Sequence, residues 1–141
     1  MSFGAFIPFV ELLGFELTRF EGGESTLQYT PKPEHLNSFD VLHGGVVMTM
    51  LDVGMASAAR SVQPEMGVLT IEMKTRFMRA TPGDGSTLTV RSTLLHRTGR
   101  MAFVEGRIYD AHGLLCAQAT GTFKYAPRQT PSTDWPPIKT S

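Results

Sequence analysis

HGGVVMTMLDVGMASAAR, residues 43–60, reads as one helix that is apolar or small on nearly every side and is interrupted once by a carboxylate. A segment with no polar face belongs inside a soluble domain. An acid in its middle must then be hydrogen-bonded, paired, neutralised or used, so Asp52 is the residue to explain. Gly44 and Gly45 permit close approach of a second backbone or a ligand at the helix start. Gly54, Ala56, Ser57, Ala58 and Ala59 make the later turns narrow and suited to tight contact with a curved sheet.

Outward from this helix the pattern changes. Phe6 to Leu13 forms a short amphipathic helix with Pro8 near its start and Gly14 near its end. Phe15 to Phe20 and Ser25 to Thr30 read as strands around the turn EGGE. PKPEHLNSFDVL, residues 31–42, carries too much turn chemistry for a long regular element and leads across to the helix. Leu69 to Met78, Thr87 to His96, Met101 to Tyr109 and Leu114 to Tyr125 read as four strands separated by TPGDG, RTGR and DAHG turns. In the first of these, Ile71, Met73, Thr75 and Phe77 alternate with Thr70, Glu72, Lys74 and Arg76, as on a strand with one solvated face.

Together these elements predict an α+β fold, a curled antiparallel sheet of about five or six strands wrapped around one central helix. The chain of 141 residues is read as one domain over 1–126 with an N-terminal extension. The proline-rich stretch 127–141 is read as a flexible tail in which Trp135 can dock locally.

Thirteen basic and thirteen acidic residues cancel, which gives no electrostatic reason to expect nucleic acid or an anionic membrane as partner. No stretch is long enough to span a bilayer, and the start lacks a basic leader, so neither export nor insertion is expected. The only cysteine, Cys116, rules out an intrachain disulfide and fits a reducing compartment, the cytoplasm. His35, His96, His112 and Cys116 form no recognisable ligand array, so no metal is expected.

His43 and Asp52 are the strongest pair of reactive types, yet nine positions on a helix separate them by roughly 13.5 Å. Cooperation in one site requires a second copy of the helix, as in an antiparallel symmetric dimer with two composite sites. Asp52 can act there as nucleophile or as base for water. The helix start offers unsatisfied N–H groups for a developing oxyanion, with Gly44 best placed.

Asn37, six residues before His43, then His43-Gly44-Gly45 and Leu51-Asp52, resembles the N-x5-H-G-G-x6-D pattern of hotdog-fold acyl-coenzyme A thioesterases of the phenylacetate-degradation (PaaI-like) type. The resemblance extends from about Phe15 to Tyr125 and includes GVLTIEMKTRFMRATPGDG. It implies hydrolysis of acyl-coenzyme A at a homodimer interface, dimers pairing again into tetramers, and no cofactor beyond the coenzyme A of the substrate. It also implies Asp52 as nucleophile or general base, the Gly44 amide on the thioester carbonyl, and His43 and Asn37 as supports. By the same resemblance Thr70 orients water or the carboxylate of the opposing subunit. Arg76, Arg79, Arg97 and Arg100 are candidate coenzyme A contacts, and Met48, Leu51, Met55 and the residues near Phe39 candidate borders of the acyl pocket. Acyl-thioester hydration or dehydration, and an acyl-thioester binding or regulatory module without turnover, remain as alternatives.

Overall fold

The structure is a computed structural model that describes residues 1–4 and 7–128; the expected C-terminal tail, with Trp135, lies almost wholly outside the described residues. The elements are α1 (Pro8–Leu13), β1 (Glu16–Glu21), β2 (Glu24–Tyr29), a 3-10 turn (Pro33–His35), α2 (Gly44–Arg60), β3 (Met66–Phe77), β4 (Leu88–Arg97), β5 (Met101–Tyr109) and β6 (Leu115–Pro127). The six strands form one sheet in the order β1-β2-β4-β5-β6-β3, and every neighbouring pair is antiparallel. Local chemistry explains the punctuation. Gly14 caps α1 in the left-handed region at φ 82° and donates its N–H to the Val10 carbonyl. Gly22 and Gly23, at φ 60° and 84°, supply the two positive angles of a tight hairpin between β1 and β2.

The sheet curls around α2, which buries Val47, Met50, Leu51, Met55, Ala58 and Ala59 against Leu27, Val90, Val104, Ile108 and Phe123. Each large apolar side chain buried in this way contributes about 1.5–3 kcal/mol. Gly54 sets the closest approach: a Cβ built there falls 2.9 Å from Ser92 Oγ and 3.0 Å from Val90 Cγ1. The Gly54 carbonyl accepts from Ser25 Oγ at 2.6 Å.

Two expectations are corrected. The helix is not enclosed on all sides, because the sheet covers only one of its faces. A stripe through Met48, Thr49, Asp52, Val53 and Ala56 stays half-open toward α1 and β3. The alternation read along β3 is broken by a β-bulge at Ile71, where Thr70 pairs with Phe123 and Glu72 with Thr122. The extra residue puts Thr70 on the helix side of the sheet with Met73, Thr75 and Phe77, opposite buried positions of β6, while Ile71 is displaced to a 56% exposed position.

β3 is one of the two sheet edges, twelve residues long, and it exposes Leu69, Ile71 and Phe77. No helix among the described residues is long and apolar enough to cross a membrane.

Candidate active site

The bulge has a chemical consequence. Thr70 Oγ1 donates to Asp52 Oδ1 at 2.6 Å within the same chain, so one carboxylate oxygen is held while Oδ2 has no partner among the described residues. Two cavities meet at this pair. One, of about 300 Å³, runs between Phe3, Ile7, Val53 and Val68 toward Arg60. The other, of about 440 Å³, is walled by Ile7, Phe9, Met48, Val53 and Met73. The carboxylate therefore stands at the border of two largely apolar spaces, which suits an acid that meets an apolar substrate.

The helix start is a separate place. His43 is the N-cap of α2, and its Nδ1 accepts the Gly45 N–H at 2.8 Å. Its carbonyl accepts from the amides of Val46 and Val47. Among the described residues the Gly44 amide is the one first-turn N–H left without an acceptor. Gly44 borders a cavity of about 340 Å³ together with Asn37, Val47, Phe77 and Arg79. Asn37 Oδ1 accepts from the Phe39 and Val41 amides at 2.9 and 3.3 Å and so ties down the turn before the helix.

The structure thus gathers Asp52 with Thr70, and Gly44 with Asn37, Phe77 and Arg79. It keeps the two groups roughly 12 Å apart along α2, eight residues at the usual rise. Arg76 is exposed on the outer sheet face opposite Gln118, and Arg100 is exposed in the β4–β5 turn. Arg97 is engaged internally: its guanidinium lies 4.4 Å from the Tyr125 ring centroid and donates to Gln63 Oε1 at 2.6 Å.

Of the expected acyl-pocket residues, Met48 lines a cavity beside Asp52, whereas Leu51 and Met55 point into the sheet and are fully buried. Phe39 is 82% exposed in the loop before the helix. Ile7, Phe9, Val53 and Met73 were not singled out in the sequence, although the apolar N-terminal stretch carried a signal that something packs there. Burial pushes the Cys116 thiol up, which makes it a poor nucleophile. The described residues contain no cluster of three His, Cys, Asp or Glu side chains fit to hold a metal ion.

A single antiparallel sheet rolled around one long helix, with the site on that helix rather than on a loop, is the hotdog architecture. The chain belongs to the thioesterase superfamily, whose family model matches residues 39–117. A medium/long-chain acyl-CoA thioesterase of Escherichia coli, YigI, is 27% identical over 131 residues, covering 83% of this chain and 84% of that protein. Among solved structures, conserved protein PA5202 from Pseudomonas aeruginosa superposes with a TM-score of 0.80 at 25% identity, over 86% of this chain and 96% of that one. The PaaI protein of the phenylacetic acid degradation operon of Escherichia coli shares the fold with a TM-score of 0.78 at 19% identity, over 84% of this chain and 83% of that one. The likeness to PaaI is one of fold, and the family model with the acyl-CoA thioesterase relative makes this chain a hotdog thioesterase, an enzyme of thioester hydrolysis.

Proposed function

We propose that the protein hydrolyses acyl-coenzyme A to the free acid and coenzyme A in two composite sites, each made from the Gly44 amide of one subunit and Asp52 of the other. The observation that carries this reading is the pair of half-sites on one helix: an unpaired amide at its start and a hydroxyl-held carboxylate at its middle, too far apart to act on one carbonyl. The unpaired β3 edge supplies the means of joining two copies. Phe77 lies beside Gly44, with 3.6 Å from its Cε1 to a Cβ built on the glycine, and Thr70 lies beside Asp52. Antiparallel pairing of two β3 edges centred between Met73 and Lys74 sets Phe77 of one subunit opposite Thr70 of the other. The same arrangement covers Leu69, Ile71 and Phe77. A pairing of two such dimers completes the tetramer.

In this site the thioester carbonyl oxygen accepts the Gly44 N–H. Either Asp52 removes a proton from a water that attacks the carbonyl carbon, or its free oxygen attacks directly and water then cleaves the resulting anhydride. The tetrahedral oxyanion is held by the amide and by the positive end of the helix. Its collapse breaks the C–S bond, and the coenzyme A thiolate leaves and takes up a proton. Thr70 keeps the carboxylate aimed, while Asn37 and His43 hold the loop and cap.

The apolar cavities beside Asp52 suit a medium-length or aromatic acyl group, and Arg79, beside Gly44, is the best placed of the four arginines for coenzyme A. A reducing compartment, the cytoplasm, fits this substrate and the lone buried thiol, and residues 1–126 form the working unit. The test is thiol release from a panel of acyl-coenzyme A thioesters. Asp52→Asn is expected to lower turnover by about 10²-fold or more while the oligomer persists; normal turnover in D52N would overturn the role of Asp52.

A further inference from the structure

The Gly44 amide can polarise a carbonyl only if the peptide plane between His43 and Gly44 is held, and that plane is set by a loop with little regular structure. The 3-10 turn before it contributes one member, and β2 the other, of a polar pair with no part in the reaction so far described. Tyr29, on β2, is 2% exposed, and His35 is 8% exposed. The Tyr29 ring stands edge-on to Phe15 at 5.2 Å and lies nearly parallel to the imidazole at 5.6 Å. The tyrosine hydroxyl is hydrogen-bonded to His35 Nδ1, to which the Lys32 amide also points at 3.4 Å. Burial, followed by the negative charge of Glu34, pushes the Tyr29 phenol up to about 12 against the lowering effect of the Lys32 backbone, so the phenol keeps its proton and donates. The Lys32 N–H can only donate, so Nδ1 is the accepting ring nitrogen and the Tyr29 hydroxyl donates to it.

The histidine is gripped at its other end too. Its backbone carbonyl accepts the His43 N–H at 3.0 Å, and Leu36 and Leu42 form a β-bridge between these two contacts. Leu42 in turn donates to the Thr81 carbonyl at 3.0 Å. The path is continuous: the sheet holds Tyr29, Tyr29 holds the His35 ring, the His35 carbonyl holds the His43 backbone, and His43 carries the peptide unit whose N–H is that of Gly44.

We propose that Tyr29 and His35 are positioning residues for the Gly44 amide, acting through the hydrogen-bonded path from the sheet to the His43 backbone. The inference rests on the reading of Gly44 as the carbonyl-polarising donor.

Four variants test this, each assayed for kcat and KM with acyl-coenzyme A alongside a thermal melt. In Tyr29→Phe the apolar contacts remain, and kcat is expected to fall about tenfold with KM within about twofold, because a displaced donor weakens the transition state more than binding. His35→Asn offers Oδ1 near the place of Nδ1, and it is expected to restore most of the kcat that His35→Ala loses.

Wild-type kcat in Y29F, or H35N no better than H35A, overturns the proposal. So does a loss of activity that matches the loss of folded protein. Gly44→Pro separates this inference from the reading beneath it. Proline at the first helical position removes the N–H without disturbing the helix, and the extended ψ of 136° at His43 suits a following proline. Wild-type turnover in G44P overturns both, whereas an inactive G44P with an unchanged Y29F overturns this inference alone.

Discussion

At the scale of the residue, the proposed chemistry rests on three small groups. Gly44 contributes an amide, Thr70 a hydroxyl and Asp52 a carboxylate. G44P is therefore expected to lose about 10²–10³-fold in kcat, the usual effect of removing one oxyanion donor, with its melting temperature nearly unchanged. Thr70→Val keeps the shape and removes the bond to Asp52 Oδ1. Its kcat is expected to fall about tenfold with KM little changed, and steady-state kinetics of the purified variant checks both numbers. Asp52 and Gly44 were legible in the sequence because an acid inside an apolar helix and a glycine pair at its start are local anomalies. The hydroxyl that orients the acid was not legible from the residues alone, since strict alternation along β3 turns Thr70 away from the helix.

At the scale of the element, pairing decides what periodicity leaves open. The strands and the long helix could be marked because turn residues and apolar period bound them. The bulge at Ile71 depends on how β3 matches β6, a long-range register that no local pattern contains. Close packing of α2 on the sheet is similarly a property of the pair. Gly54→Ala improves helix propensity by about 1 kcal/mol, yet its new methyl meets Ser92 Oγ and Val90 Cγ1 at contact distances no ordinary Cβ has. A net loss of roughly 1–2 kcal/mol is expected in urea unfolding, because overpacking outweighs propensity.

The β5–β6 turn gives a pH prediction. Asp110 accepts from the Leu114 and His112 amides at 3.0 and 2.9 Å, and those bonds hold its carboxyl below the usual range. A lowered folded-state pKa contributes stability that is full above the unfolded value, about 3.9, and that vanishes as pH falls through the folded one. Asp110→Asn should therefore melt lower than wild type near neutral pH and converge with it below about pH 4, as followed by thermal melts across pH.

At the scale of the whole molecule, the proposed composite site predicts complementation between two chains. D52N and G44P subunits are each expected to be nearly inactive. After unfolding and refolding together in equal amounts, half of the dimers pair one of each, and such a dimer holds one intact site. The mixture should then recover about a quarter of the wild-type rate. Recovery absent from a mixture shown to exchange subunits would place both groups in one chain and refute the composite site. Lysines at Leu69 and Ile71 should weaken the β3 edge as an interface, lowering mass by light scattering and activity together.

The amino-acid sequence by itself determined the inventory: one long apolar helix with an acid at its middle and glycines at its start, six strands with their turns, and a spacing too great for the reactive groups to meet in one chain. These are short-range facts, written in periodicity and in residues that favour particular backbone angles. The tertiary structure alone decided which face of α2 stays open, which side of β3 carries Thr70, and how Tyr29 and His35 hold the loop before Gly44. Each of these depends on contacts between residues far apart in the chain, and only the curled sheet brings such residues together.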